Sequence, residues 1–204
     1  MSIAYNLKQT IATMATAMVQ TLTKPLTLTE FLQIPETKPA SEFIDGDIIQ
    51  KPMPQGKHSS LQLDLGSSIN LALKTQRIAR AYSELRCTFG GRSIIPDISV
   101  FIWEHIPRDL DRKVSNLFEI APDWTIEILS PDQSQTKVIR NIIHCLNHGS
   151  QMGWLIDPNE EIVFVYFSDR TLAIFEDKSD LLPMPAFAEG LQLTVGELFS
   201  WLEM

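Results

Sequence analysis

Cysteine is nearly absent from this chain: Cys87 and Cys145 are the only two in 204 residues. One falls in a predicted strand and the other in a predicted helix. That argues against a disulfide framework and for two buried thiols in a reducing compartment. Long apolar runs are missing too, and none approaches the roughly 20 residues a membrane-spanning helix needs. The N-terminus lacks the basic-then-apolar order of a secretory signal, so a soluble cytoplasmic protein with no membrane partner is expected. Positive charge is scarce: 17 Lys and Arg stand against 25 Asp and Glu, a net charge of -8. This balance argues against a general nucleic-acid coat but leaves room for a local basic groove. There is no internal repeat, no low-complexity tract, and nothing resembling a base-reading helix or a zinc module.

What is present is a chain able to bury one good core, with 44% hydrophobic residues, and hence a single domain. Residues 1–24 are rich in Thr, Ala and Met without a clear period. They read as a loose tail or a weak helix, with Met18 as an alternative start, and the domain occupies residues 25–204. LTLTEFLQIP predicts a short helix capped at Thr27 or Thr29 and ended by Pro35. SEFIDGDIIQKP predicts a hairpin around Asp45-Gly46. From His58 to Thr75 the spacing of Leu61, Leu65, Ile69, Leu71 and Leu73 predicts a helix. AYSELRCTF reads as a strand turned by Gly90-Gly91 into a strand carrying Asp97, with which it pairs antiparallel. IPRDLDRKVSN reads as an exposed connector. MGWLIDP and EIVFVYF read as a hairpin, TLAIFE as a further strand, and LTVGELFSWL as a closing helix capped by Thr194.

The organising stretch runs from Ile94 to Asn141. In PDISVF, Ile98, Val100 and Ile102 alternate with Asp97, Ser99 and Phe101; in WTIEIL, Ile126 and Ile128 alternate with Thr125, Glu127 and Leu129. Period two places Asp97 and Glu127 on the face opposite the apolar rows, where neighbouring strands would bring them together. A carboxylate in such a strand is costly to bury unless it is paired or holds a cation. Two of them, with a lysine near, suit metal-dependent phosphodiester chemistry. The bland alternative is a buried pair neutralised by Arg86 or Arg92. Glu84 and Arg86 share a strand face and read as a structural salt bridge.

Ser130-Pro131-Asp132-Gln133 has the spacing of a helix start, and the helix is expected to run to Gly149. Ile139, Ile142, Ile143 and Leu146 form its apolar stripe, and Lys137, Arg140, Asn141, His144 and His148 its polar face. His144, Cys145 and His148 raise the thought of zinc, but Cys145 points to another side of the helix, no distant third ligand is evident, and a polar helix face is the better reading.

The order EF-x-DG, a helix opened by His58, PD at residues 96–97, EILSP and then G-x-x-x-x-WLIDP resembles the putative restriction endonuclease family. This is the Uma-type group, once catalogued as a domain of unknown function, of the PD-(D/E)xK nuclease superfamily. The resemblance spans about Leu26 to Leu202. It implies an α/β (α+β) restriction-endonuclease-like core with a mixed central sheet flanked by helices, Mg²⁺- or Mn²⁺-dependent cleavage of DNA, and a homodimer. By position, Asp97 and Glu127 match the family's paired acids and Glu42 an upstream glutamate. The chain departs from the superfamily pattern where a lysine would stand two residues after the acid, because that residue is Leu129. The helix position that supplies the lysine instead is here Asn141, which leaves Lys137, one turn earlier, as the replacement and Arg140 as the second candidate.

On this reading Asp97 and Glu127 hold the metal, helped by the Ile128 carbonyl, and Glu42 adds a ligand for a second ion. Lys137 orients the attacking water or offsets charge on the phosphate, and His58 acts at the rim as a phosphate contact or proton relay. The competing reading is a catalytically inert relative that binds nucleic acid or protein as a homodimeric module.

Overall fold

The computed structural model describes residues 26–131 and 133–203, and the N-terminal stretch expected to be a tail lies outside them. A short helix, α1 (Leu28–Phe31), is closed by a reciprocal capping box between Thr27 and Glu30, which satisfies two N–H groups the first turn would otherwise leave bare. The hairpin then forms as expected. Asp45 and Gly46 both take positive φ, the backbone a two-residue turn between twisted strands demands. They join β1 (Ser41–Ile44) to β2 (Asp47–Gln50) in the register Glu42 to Ile49.

Helix α2 (Gly56–Leu73) buries His58, Leu61, Leu65, Ile69 and Leu73, one stripe at helical spacing with the histidine at its head. Leu71, expected on that stripe, is 79% exposed, because its place on the helix turns it away from the sheet.

The stretch AYSELRCTF is not one strand. It breaks at Glu84, whose φ is 48°, into β3 (Ala79–Ser83) and β4 (Cys87–Phe89). β4 pairs with β5 (Arg92–Ile94), whereas β3 pairs antiparallel with β6 (Ile98–Ile102). Pro96 explains the second break, since it has no N–H for a sheet ladder. The chain therefore crosses twice between two sheets, and the crossings are tied by the Glu84 N–H donating to the Asp97 carbonyl at 3.1 Å.

β7 (Trp124–Ile128), β8 (Met152–Asp157), β9 (Ile162–Phe167) and β10 (Leu172–Phe175) complete the larger sheet. Its order is β10-β9-β8-β7-β6-β3, and the smaller sheet runs β2-β1-β5-β4. All pairs are antiparallel except β7 with β8, which are joined through α3 (Gln135–Asn147) as a parallel pair requires.

One face of the large sheet packs on α2 and on α4 (Val195–Ser200), around Trp124 and Trp154, whose rings meet edge to face at 4.8 Å. The other face is shared. Leu129, Leu155 and Tyr166 pack on Val138, Ile142 and Leu146 of α3, while Phe101 packs with Phe89 and Ile94 of the small sheet. Each such buried side chain contributes roughly 1.5–3 kcal/mol. The PDISVF and WTIEIL segments are thus buried on both faces, and any charge on them needs a partner. No helix among the described residues is long and apolar enough to cross a membrane.

Candidate active site

Asp97 stands at the crossing between β5 and β6, and Glu127 one residue before the end of β7. Neither is more than 3% exposed. β6 and β7 are neighbours, with Ile98 opposite Ile126, and with Ile98, Val100, Ile126 and Ile128 all in the α2 core the alternate positions face the other way. That places both carboxylates under the small sheet.

From that sheet Glu42 and Lys51 reach in. The two-residue turn fixes the parity of the hairpin: Glu42 is opposite Ile49, so Lys51, two residues beyond Ile49, shares its face. The Lys51 ammonium lies 2.7 Å from Asp97 Oδ1 and 3.8 Å from Glu127 Oε2, and it also donates to the Ile95 carbonyl. Asp97 Oδ2 accepts the Ile128 N–H at 2.7 Å and faces His58 Nε2 at 3.1 Å. Glu42 Oε1 accepts the Ile95 N–H at 2.7 Å, and its Oε2 accepts the Asn141 amide at 3.2 Å. Gln62 donates to the Asp97 carbonyl, so α2 holds both ends of this residue.

The electrostatics follow from three carboxylates and one ammonium in a dry place. Burial pushes Asp97 up, but Lys51 and the His58 hydrogen bond outweigh it and hold the carboxyl below its ordinary range. Burial, then the neighbouring acids, push Glu127 well above its ordinary value against the pull of Lys51. Burial likewise raises Glu42. For Lys51 burial disfavours the charge, yet Asp97, Glu127 and Glu42 together hold it above the ordinary lysine value. The cluster is short of positive charge.

The residues singled out from sequence fall unevenly around this cluster. Asp97, Glu127, Glu42 and His58 surround Lys51, which the sequence reading did not pick out. Lys137 is exposed in the first turn of α3, and it and Arg140 form no ion pair with the acids among the described residues. Ile128, expected to offer its carbonyl, gives Asp97 its N–H. Arg86 and Arg92, the alternative counter-ions, are committed elsewhere, to Glu36 and to Asp45 at 2.7 Å each, so no Glu84–Arg86 bridge forms. Helix α3 starts at Gln135 with Ser134 as N-cap, later than expected, although the Gln133 side chain does accept the Ser130 N–H. Its polar face is only partly solvated: Lys137, Arg140 and His148 are exposed. Asn141 and His144 are buried, and His144 stacks on Phe89 at 4.8 Å while facing the Phe89 carbonyl. Cys87 and Cys145 are free buried thiols, and burial pushes Cys87 up to about 12.

Could these groups hold a divalent metal? No group of three or more His, Cys, Asp or Glu side chains among the described residues is arranged as a preformed ligand set. The Lys51 ammonium nevertheless acts as a stand-in cation. Its contacts establish that Asp97 and Glu127 can converge on one positive centre, and the excess of carboxylate remains. Two carboxylates and waters suit Mg²⁺, which keeps much of its hydration, so the donor set fits.

Comparison with known proteins agrees with this architecture. Residues 28–196 match Uma2, described as a putative restriction endonuclease. A crystal structure from Anabaena variabilis ATCC 29413, described as a putative nuclease belonging to DUF820, superposes with a TM-score of 0.86. It is 62% identical and covers 87% of this chain and 99% of its own. Among curated proteins nothing matches. The mixed sheet flanked by helices is thus a nuclease-family fold, as expected.

Proposed function

The chain belongs to the Uma2 family of restriction-endonuclease-like proteins, and from that premise we propose that it is a Mg²⁺-dependent endonuclease hydrolysing phosphodiester bonds of DNA. The observation that carries this reading is the meeting of Asp97 and Glu127, from neighbouring strands, on the Lys51 ammonium. A Mg²⁺ held by Asp97 and Glu127, with Glu42 beside them, would polarise a phosphate oxygen and acidify a water.

The protein's own groups do the rest. Lys51 offsets the charge that develops on the phosphate oxygens as water attacks, in a buried site where such a charge is worth far more than in solvent. His58 faces Asp97 with Nε2 at 3.1 Å and lines the cavity that opens onto Asp97. From that edge the imidazole can relay the proton of the attacking water. The Ile128 and Ile95 N–H groups fix Asp97 and Glu42 so that neither must reorganise during reaction.

Asp97 favours a second reading, an inert binding module, because both its oxygens already have donors. The deciding experiment is Mn²⁺ titration by calorimetry together with a Mg²⁺-dependent cleavage assay, on wild type and Asp97→Asn. Metal binding and cleavage that both vanish in the variant support the nuclease; an absence of both in wild type overturns it.

A further inference from the structure

The reacting groups lie at the floor of a chamber, not on an open face. Asp97, Glu127, Glu42 and His58 are all at most 5% exposed. A cavity of about 290 Å³ opens onto Asp97, His58 and Lys51. Its walls are largely apolar, built from Pro39, Ala40, Pro52, Met53, Pro54 and Ile95, and Glu84 stands in its lining. Behind Lys51 and Pro52 lies a second cavity of about 350 Å³, which Glu42, Asn141 and Lys137 also line. Lys51 and Pro52 belong to both linings, so the catalytic ammonium stands on the partition between two chambers of different chemistry.

These chambers accept different parts of a nucleotide. The first offers proline rings and a thioether, and its two acids, Glu84 and Asp97, are balanced by Lys38 and Lys51, so it carries no net charge and suits a flat, uncharged ring. Its volume lies at the lower end of the roughly 300–1,000 Å³ typical of small-molecule pockets, room for one ring system and not for a stacked pair. The second has Lys137 and Lys51 against one acid, Glu42, a positive balance that suits the charged backbone. We propose that the first chamber is a nucleobase subsite that takes one unstacked base beside the bond being cut, so that the substrate is single-stranded or locally unpaired nucleic acid. The inference rests on the nuclease reading above and narrows it. Intact duplex fits the site poorly on two counts. Its stacked bases cannot enter the first chamber, and freeing one costs a few kcal/mol, least where the base is already unpaired. A chain of net charge -8 also lacks the cations for a broad duplex footprint.

The test uses the full chain and three labelled DNAs: a single strand, its duplex, and the same strand with tetrahydrofuran abasic residues replacing its nucleosides. Binding is read by fluorescence anisotropy in Ca²⁺ and cleavage in Mg²⁺. Ala40→Phe fills the first chamber from its wall, and Thr37→Trp fills it from the exposed rim should Ala40→Phe fail to fold. The base-bearing strand is expected to be bound and cut about tenfold better than either other DNA, the size of one base-stacking contact. Either filling variant removes that advantage and leaves the abasic strand unaffected. The inference is overturned if the duplex or the abasic strand is bound and cut as well as the base-bearing one, or if a filled chamber changes nothing; Asp97-dependent cleavage would then still uphold the nuclease reading. If none of the three DNAs is cut, both fall together.

Discussion

Lys51 and Asp97, 46 residues apart in the chain, meet at 2.7 Å, and the lysine reaches this contact from the smaller of the two sheets. In the resemblance that the sequence suggests, the lysine comes from the helix after the second acid, at the position held here by Asn141. The Asn141 amide still touches Glu42, so the polar contact survives while the positive charge comes from the opposite wall.

This relocation makes a direct prediction. Lys51→Met should lower kcat by about 10²–10³, the usual loss when one preorganised donor to a transition state is removed. Lys137→Ala, removing an exposed charge worth at most about 1 kcal/mol, should stay within about fivefold. Steady-state cleavage of single-stranded DNA in Mg²⁺ measures both, and the reverse ranking would remove Lys51 from the chemistry.

His58 should behave as a proton acceptor and not as a packing residue. His58→Ala is expected to slow cleavage by about 10²–10⁴, with part of the rate restored by added imidazole. A variant that folds, keeps the full rate and ignores imidazole would show that this side chain takes no part.

The charge shortage should be visible in stability. Glu127 is raised well above its ordinary value by burial and by its acidic neighbours. A carboxyl raised on folding gives its stabilisation in full below its unfolded value, about 4.3, and loses it as pH rises through the folded value. Glu127→Gln has no such charge to bury. In EDTA its melting temperature should therefore match wild type in acid and pull ahead as pH climbs toward neutrality. Calorimetry across that range checks this, and a gap between the two proteins that does not change with pH would contradict it.

Gly153 tests how α3 is seated. A Cβ there would lie 2.3 Å from Ile142 Cγ2, a branched methyl that cannot swing aside as a flexible chain end would. Gly153→Ala should cost about 1–3 kcal/mol by overpacking, and Ile142→Val placed on top should not relieve it, because valine keeps that methyl, whereas Ile142→Ala should relieve part of it. Urea unfolding of the single and double variants measures the coupling.

Much of this arrangement was legible. Alternation in PDISVF and WTIEIL put Asp97 and Glu127 on one face, and the Leu61–Leu65–Ile69 spacing marked the helix whose first turn carries His58. Lys51 was half legible: once Asp45-Gly46 is read as a two-residue turn, parity alone sets Lys51 on the face of Glu42. What that parity did not reveal was where the hairpin docks. The strand break at Glu84 escaped notice because AYSELRCTF alternates without interruption, and only the crossing between sheets forces its positive φ. The polar side of α3 misled for a related reason. Asn141 and His144 read as solvated, yet the small sheet lies over them, and Glu42 and Phe89 supply their partners.

Local chemistry, then, was settled by the order of residues: which segments alternate, where proline and glycine interrupt them, and which strands carry an acid. These depend on neighbours a few positions away, through side-chain period and backbone sterics, and any folded state must respect them. The counter-ion of the acids, the burial of Asn141 and His144 on α3 and the two chambers on either side of Lys51 depend on packing one sheet against another. Contacts across 46 or 99 residues leave no periodic trace in the chain, so only the tertiary structure could decide them.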